Sequence, residues 1–482
     1  MTDYEKYEED AVYTDLVDLL EETKVTKSLY ERINNSLDPY VPGNELQRGE
    51  IPYAVVRPEN SEEVSIVMKY ANEKTIPVYV RGSGTSLHGA ARFKEKGVVI
   101  NVRNMNHLKI EEEFGWVEFG PGHRVLYVKE ALEKRGYFLP LVPGSIRIAS
   151  IGGIISNNTS AHGVDTELGK PRDYILGLEV VLPTGEIVKT GTKSLRRIAG
   201  TDLTQYFVGG DGLMGVITSI RMQLMPMFES TYGVAYFEDL ESLARAVQRI
   251  YLDKVPPPMF LEMLDERVAK IAFKIKGLSE PKGPLIMFQV KGRDREDANK
   301  KVTQLVECIK KESPIEAKEI TDMEEWHKIW GARESSLPYI CQGGKGVFAF
   351  CEVVSTVPGL VACMQDVKGM SKGKPTLEKL GEPYLFGHIG CLTFHPCFII
   401  PADWPEEDKR KAYEEVFDKE AELNLKYDTA GGEWGQFAMR GPFFGAKWGE
   451  SAYDFVEKIK TAVDPKNILN PNVMRKTVLE NR

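Results

Sequence analysis

RGSGTSLHGA, residues 81–90, follows directly on the apolar run IPVYV and sets Gly82, Gly84 and Gly89 among small hydroxylated side chains. A strand opening into such a loop lets backbone approach an anion closely, and successive N–H groups can form a nest for phosphate. Neither common phosphate fingerprint is present. Leu87 stands where GxGxxG needs its third glycine, and no GK[ST] closes the loop. Alone, the loop is equally consistent with a tight turn. A second stretch, PGSIRIASIGGIISNNTSAHG (143–163), repeats the mixture of Gly, Ser and Asn around a short apolar run. The pair suggests one extended diphosphate ligand lying across both loops, with Asn157, Asn158 and Ser160 offering polar groups. Two turns of a sheet are the plainer alternative.

The surrounding chain is that of an ordinary globular protein. It has 482 residues, 42% hydrophobic and 28% charged, enough for two or three packed domains. The net charge is −9 and no long Lys/Arg block occurs, which argues against nucleic acid as a partner. The acidic start, MTDYEKYEEDAVYTDLVDLLEETKV, lacks the basic and apolar segments of a secretory signal, and no apolar window is long enough for a membrane span. The six cysteines (308, 341, 351, 363, 391, 397) form no CxxC pair, so neither an iron–sulfur cluster nor a zinc ribbon is indicated. Scattered thiols fit a reducing cytoplasm.

Residues 10–37 read as helical. IPYAVVRP (51–58) then predicts a strand, and SEEVSIVMKYANEK (61–74) a helix opened by Ser61 and Glu63. GVVINVRNMN (97–106) and WVEFGPG (116–122) predict further strands, the second leading into the helix RVLYVKEALEKRG. GLEVVLPTGEIVKTG (177–191) predicts a hairpin and MGVITSIRMQLMP (214–226) a closing strand. From about 228 to 424 longer alternating β and α pieces indicate a second domain. The tail (451–474) predicts an amphipathic helix stopped by Pro465.

The order PYAVVRP, RGSGTSLHGA, PGSIRIASIGGIISNNTSAHG, GLEVVLPTGE, DLTQYFVGGDGLMGVIT, DPKNILNP resembles the vanillyl-alcohol-oxidase/PCMH-type FAD flavoproteins. Within them it is most similar to the branch of glycolate oxidase FAD subunits and D-lactate dehydrogenases, over nearly the whole chain from about residue 45. The resemblance implies an α+β protein with a two-subdomain PCMH-type FAD-binding domain and an α+β cap for substrate. The boundaries expected are an N-terminal helical segment (1–45), the FAD domain (46–227), the cap (228–424) and a C-terminal segment (425–482) returning to the FAD domain. It further implies that the pyrophosphate sits on Arg81, Gly82, Ser83, Gly84, Thr85, Ser86, His88 and Gly89. Pro143, Gly144, Ser145, Gly152, Gly153, Asn157, Asn158, Ser160 and Gly163 would line the flavin, Ile217 would meet the rest of the cofactor, and Asn470 would lie close to the isoalloxazine. His88 lies beyond the position that some relatives use for a covalent link, so non-covalent FAD is expected.

FGHIGCLTFHP (386–396) resembles the GHxGDGNxH motif of the hydroxy-acid branch, in which both histidines and a later Glu hold a divalent metal and the His after that Glu takes the substrate's hydroxyl proton. Here His388 and His395 keep the spacing, and GGEWGQFAMRG keeps Glu433, but Trp434 stands in place of the basic His. Tryptophan cannot accept a proton. The metal set His388, His395 and Glu433, for zinc, manganese or iron, is therefore weighed against two histidines satisfied inside the cap. Arg333 matches the arginine that clamps a substrate carboxylate, with an ordinary ion pair as the alternative. His327 is a stand-in base, although Trp326 and Trp330 beside it suggest packing.

The function implied is an FAD-dependent oxidoreductase taking hydride from the hydroxyl-bearing carbon of a lactate- or glycolate-like 2-hydroxy acid. Its electrons would pass to a protein partner, an iron–sulfur protein or an electron-transfer flavoprotein; oligomers are compatible with this reading. Oxidation of a para-substituted phenol or aryl alcohol is a second reading, from the aromatic residues Trp434, Phe437, Phe443, Phe444 and Trp448. The FAD subunit of an electron-transfer complex is a third.

Overall fold

The computed structural model describes residues 9–37, 51–87, 96–159, 166–194, 200–341, 346–429 and 447–471. The chain divides into two units. Unit 1 comprises residues 1–159, 170–226 and 433–482; unit 2 comprises 160–169 and 227–432.

Unit 1 holds two principal sheets. In the first, strands run in the order Val25–Thr26, Ala54–Val56, Val98–Asn101, Val78–Arg81, and the last three are mutually parallel. Parallel neighbours need a crossover, which the helix Ser61–Lys74 supplies between Ala54–Val56 and Val78–Arg81. That helix spans the expected residues 61–74. Asn60, not Ser61, is the cap, and its side chain accepts from Glu63 N. The stretch 10–37 is not one helix. It breaks after Leu20 into a 3₁₀ turn and the short strand Val25–Thr26, which pairs with Val55–Val56. Leu16 and Leu20 of the first helix join a core with Val56, Val64, Val67, Met68, Val78 and Ile100. Ile468 and Leu469 enter the same core, so the tail folds into this subdomain.

The second sheet of unit 1 is antiparallel, in the order Leu108–Glu111, Trp116–Phe119, Val216–Gln223, Ile175–Val181, Ile187–Lys189. The hairpin expected over 177–191 is its edge.

Unit 2 is built on one large antiparallel sheet, in the order Glu316–Ile320, Glu229–Tyr236, Leu285–Gly292, Phe260–Leu264, Tyr384–Gly387, Thr393–Pro401, Gly346–Phe350; Val353–Val354 pairs with the start of Thr393–Pro401. One residue fixes the centre of this sheet to its neighbouring helix. Asp265 caps the helix Glu266–Lys276 by accepting from Val268 N at 2.6 Å, and its other oxygen accepts from Leu385 N at 2.8 Å. Asp265→Ala would strand two buried N–H groups. It should lower unfolding free energy by about 2–4 kcal/mol in denaturant titration, each orphaned donor costing about 1–3 kcal/mol.

Candidate active site: a flavin cradle and a buried Glu262 hub

In unit 1 the two glycine-bearing stretches meet through the Ser150 side chain. Ser83 N donates to Ser150 Oγ at 3.2 Å. A Cβ on Gly82 would lie 2.1 Å from that Oγ, so a larger residue here would turn the Ser150 hydroxyl away from Ser83 N. Gly84 has φ of +65° and curls over the Arg81 guanidinium, 2.2 Å from where its Cβ would be. Gly152 lies against Pro121 so closely that a Cβ would sit 2.5 Å from the proline ring. Arg81 is buried, whereas Gly82, Ser83, Gly84, Thr85, Ser86 and Leu87 are half-buried, which leaves a cradle with accessible backbone.

Pro143, Gly144 and Ser145 form turns in which Pro143 O accepts from Ile146 N and Ser145 O from Ile148 N and Ala149 N. Gly153 and Asn157 lie on the helix Ile151–Asn157. Asn158 ends it in the left-handed region, with its side chain accepting from Arg172 N. Ile217 is buried on Val216–Gln223. Asn470 joins three pieces. Its Oδ1 accepts from Val80 N, just before the Arg81 loop, and its Nδ2 donates to Asp211 O and Gly212 O at 3.1 Å each. His88, Gly89, Ser160 and Gly163 lie outside the described residues. A cradle of close glycine backbone with scattered small polar groups suits a dinucleotide diphosphate, and these residues fit FAD.

In unit 2 the chain reverses between the two histidines. His388 follows the strand Tyr384–Gly387, residues 389–391 form a 3₁₀ turn, and Leu392 takes a left-handed conformation before Thr393–Pro401. Gly390 in this turn lies close to Thr166, whose Oγ1 would be 2.1 Å from a Cβ there. Phe386 pairs with His395, so Phe386, His388 and His395 share one face of the sheet. The imidazoles lie perpendicular, with centroids 5.0 Å apart. His395 packs on Phe350 and Phe386.

The centre of this face is Glu262. Its strand pairs Met263 with Gly387, which sets Glu262 opposite His388. Glu262 has no solvent exposure and Arg333 only 2%. Arg333 donates to Glu262 Oε2 through Nε at 2.8 Å and Nη2 at 2.7 Å, while His388 Nδ1 lies 2.8 Å from Oε1. A carboxylate beside a guanidinium is ionised and only accepts, so the His388 nitrogen facing it is the N–H. Nε2 is then the basic nitrogen of the neutral ring. The Arg333 guanidinium also lies over the Phe386 ring at 5.2 Å, and its Nη1 reaches Ser336 Oγ only at 3.5 Å. Glu262 was not among the residues the sequence singled out. Its signal was a single acid inside the apolar run FLEML, since a buried charge must be paired.

His327 is exposed on the helix Met323–Glu334, while Trp326 of the same helix is buried against Tyr232, Phe260 and Trp330. Glu433 and Trp434 lie outside the described residues. Among the described residues, no group of three or more His, Cys, Asp or Glu is placed to hold a metal ion, and no helix is long and apolar enough to cross a membrane.

Comparison with known proteins adds the family. Residues 52–191 match the FAD binding domain, and residues 228–474 match the C-terminal domain of FAD-linked oxidases. The chain belongs to the FAD-linked oxidase family. It is 31% identical over 450 residues to the glycolate oxidase subunit GlcD of Bacillus subtilis, covering 89% of this chain and 90% of that protein. It is 29% identical over 434 residues to a D-lactate dehydrogenase of Archaeoglobus fulgidus, covering 88% and 92%. The fold is similar to p-cresol methylhydroxylase with substrate bound, with a TM-score of 0.78 at 17% identity, covering 98% of each chain. The protein is thus an FAD-linked oxidoreductase of the glycolate oxidase/D-lactate dehydrogenase branch with the PCMH-type fold.

Two outcomes follow from this geometry. Gly82→Ala should purify with little or no flavin at unchanged far-UV circular dichroism, read from the visible absorbance per protein. Glu262→Gln leaves Arg333 as a buried, unbalanced cation and should cost about 3–5 kcal/mol of stability by denaturant titration.

Proposed function

We propose that the protein oxidises a small 2-hydroxy acid, lactate- or glycolate-like, to the 2-oxo acid and passes the electrons to a protein acceptor. The observation that supports this reading is the Glu262 hub. It pairs a guanidinium with the His388 imidazole in a buried apolar setting, with the His395 ring beside His388, on the strands that carry the GHxG-like motif. FAD, when bound, supplies the two-electron acceptor for hydride from the hydroxyl-bearing carbon. Arg81, Gly82, Ser83, Gly84 and Ser150 would hold its diphosphate, with Asn470 fixing the neighbouring backbone.

The chain's own groups divide the remaining tasks. Glu262 takes two of Arg333's donor groups, and the Nη1 edge is the part suited to a substrate carboxylate. Glu262 also orients His388, so Nε2 is the atom that would bind a metal or take the hydroxyl proton. A zinc, manganese or iron ion would use His388, His395 and Glu433. Trp434 supplies no base, and His327 sits on the exposed side of its helix. The reading extends to a cytoplasmic enzyme whose single flavin hands electrons to an iron–sulfur protein or an electron-transfer flavoprotein. The sequence shows no CxxC pair for a second redox centre of its own.

The test is anaerobic bleaching of the bound flavin with a panel of donors. Lactate, glycolate and bulkier 2-hydroxy acids are set beside 4-hydroxybenzyl alcohol and alkylphenols. Bleaching by a hydroxy acid is expected, and bleaching by phenols alone would overturn the reading in favour of an aromatic substrate. A chelator arm decides the metal. Loss of bleaching after chelation, restored by added zinc or manganese and absent in Glu433→Gln, is the outcome for a metal site. Unchanged bleaching and unchanged metal content in Glu433→Gln would remove the metal from the account.

A further inference from the structure

We propose that the buried Lys460–Asp464 pair is a latch that holds the flavin cradle in its binding form, so that cofactor retention depends on the C-terminal helix. The proposal rests on FAD binding by this family and concerns residues that touch none of the glycine loops themselves.

The helix Glu450–Val463 packs Val456, Ile459 and Val463 against Leu213 and Met214. Lys460, on the same helix, turns inward and is 6% exposed. Its ammonium uses all three donors. It donates to Leu213 O at 2.8 Å, to Leu469 O at 2.7 Å and to Asp464 Oδ2 at 2.5 Å. Asp464 is 1% exposed and accepts in turn from Ile468 N at 3.0 Å and Leu469 N at 2.9 Å. Burial pushes the Lys460 ammonium below the usual lysine range, and Asp464 draws it back. Each charge is therefore tolerated because of the other.

What the pair fixes is the path of the next residues. Ile468 O accepts from Val78 N at 2.7 Å, and Asn470 N donates to Val78 O at 2.8 Å, docking the tail along the strand Val78–Arg81. Asn470 is held at a φ of +43°. In that conformation its side chain ties Val80 to the Asp211–Gly212 turn, and Asp211 N donates to Ser156 O of the helix Ile151–Asn157. The route Lys460, Asp464, Leu469, Asn470 thus ends on the strand feeding the Arg81 loop, the 209–212 turn and the helix behind Gly152. Lys460 acts through Asn470 and is a positioning residue. Lys466 offers an internal control. It ties the same tail to Asn72 O at 2.6 Å on the surface, off this route.

The experiment measures FAD binding to flavin-free full-length protein by fluorescence quenching. Visible circular dichroism of the bound flavin and far-UV circular dichroism of the protein are recorded alongside. Lys460→Met and Asp464→Asn should weaken FAD at least about tenfold, because affinity falls with the binding-competent fraction. The visible dichroism of the flavin that still binds should change while the far-UV spectrum does not. Lys466→Met should stay within about twofold of the parent, as expected for an exposed tie. A folded Lys460→Met that binds FAD within about twofold of the parent, with parental visible dichroism, would overturn the proposal. So would Lys466→Met weakening FAD as much as Lys460→Met. Should Lys460→Met fail to fold, the near-isosteric Asp464→Asn decides by the same thresholds.

Discussion

A single carboxylate with no access to water, Glu262, is the constraint around which unit 2 is arranged. An ionised acid in an apolar sheet is tolerated only when its oxygens are fully paired. One oxygen is taken by the Arg333 fork and the other by His388. Meeting both partners at once requires Phe260–Leu264 to lie beside Tyr384–Gly387 in one register, and a one-residue slip would turn Glu262 to the other face. Asp265, a few residues on, secures that register by holding Leu385 N. The same pairing sets the tautomer of His388 and stacks Arg333 over Phe386. Chemical readiness and structural integrity are therefore not separable at this hub.

Unit 1 meets its task by different means. It brings two loops together with glycine where the approach is closest, and closes the arrangement with a tail that returns from the far end of the sequence. The core records this, because Leu16 near the start and Leu469 near the end pack into one cluster. A cofactor held largely by backbone asks for exact chain paths more than for particular side chains. The buried charges of unit 1 accordingly serve to fix paths.

Much of this was legible in the residues and some was not. The glycine loops pointed to a diphosphate ligand because that signal is local, while the α+β class and FAD followed from the family resemblance carried by the order of the motifs. The helix over 61–74 was readable because its signal is local too, while its cap moved to Asn60 because two adjacent residues can both fill that role. The histidine motif was visible through its spacing, and the structure puts both rings on one face of the sheet. Glu262 escaped because its partners lie 71 and 126 positions away, a pairing no local pattern reveals. Lys460 and Asp464 escaped for the opposite reason. An i,i+4 pair on an amphipathic helix looks like a surface salt bridge until burial is known.

Under the proposed function, the C2 hydrogen of a 2-hydroxy acid leaves as hydride. Anaerobic stopped-flow reduction of the bound flavin, comparing a 2-hydroxy acid carrying protium with one carrying deuterium at C2, tests it most directly. Stoichiometric bleaching that slows clearly with deuterium is the expected result. Absence of bleaching by any 2-hydroxy acid, in protein that carries FAD and is readily bleached by dithionite, would contradict the proposed function.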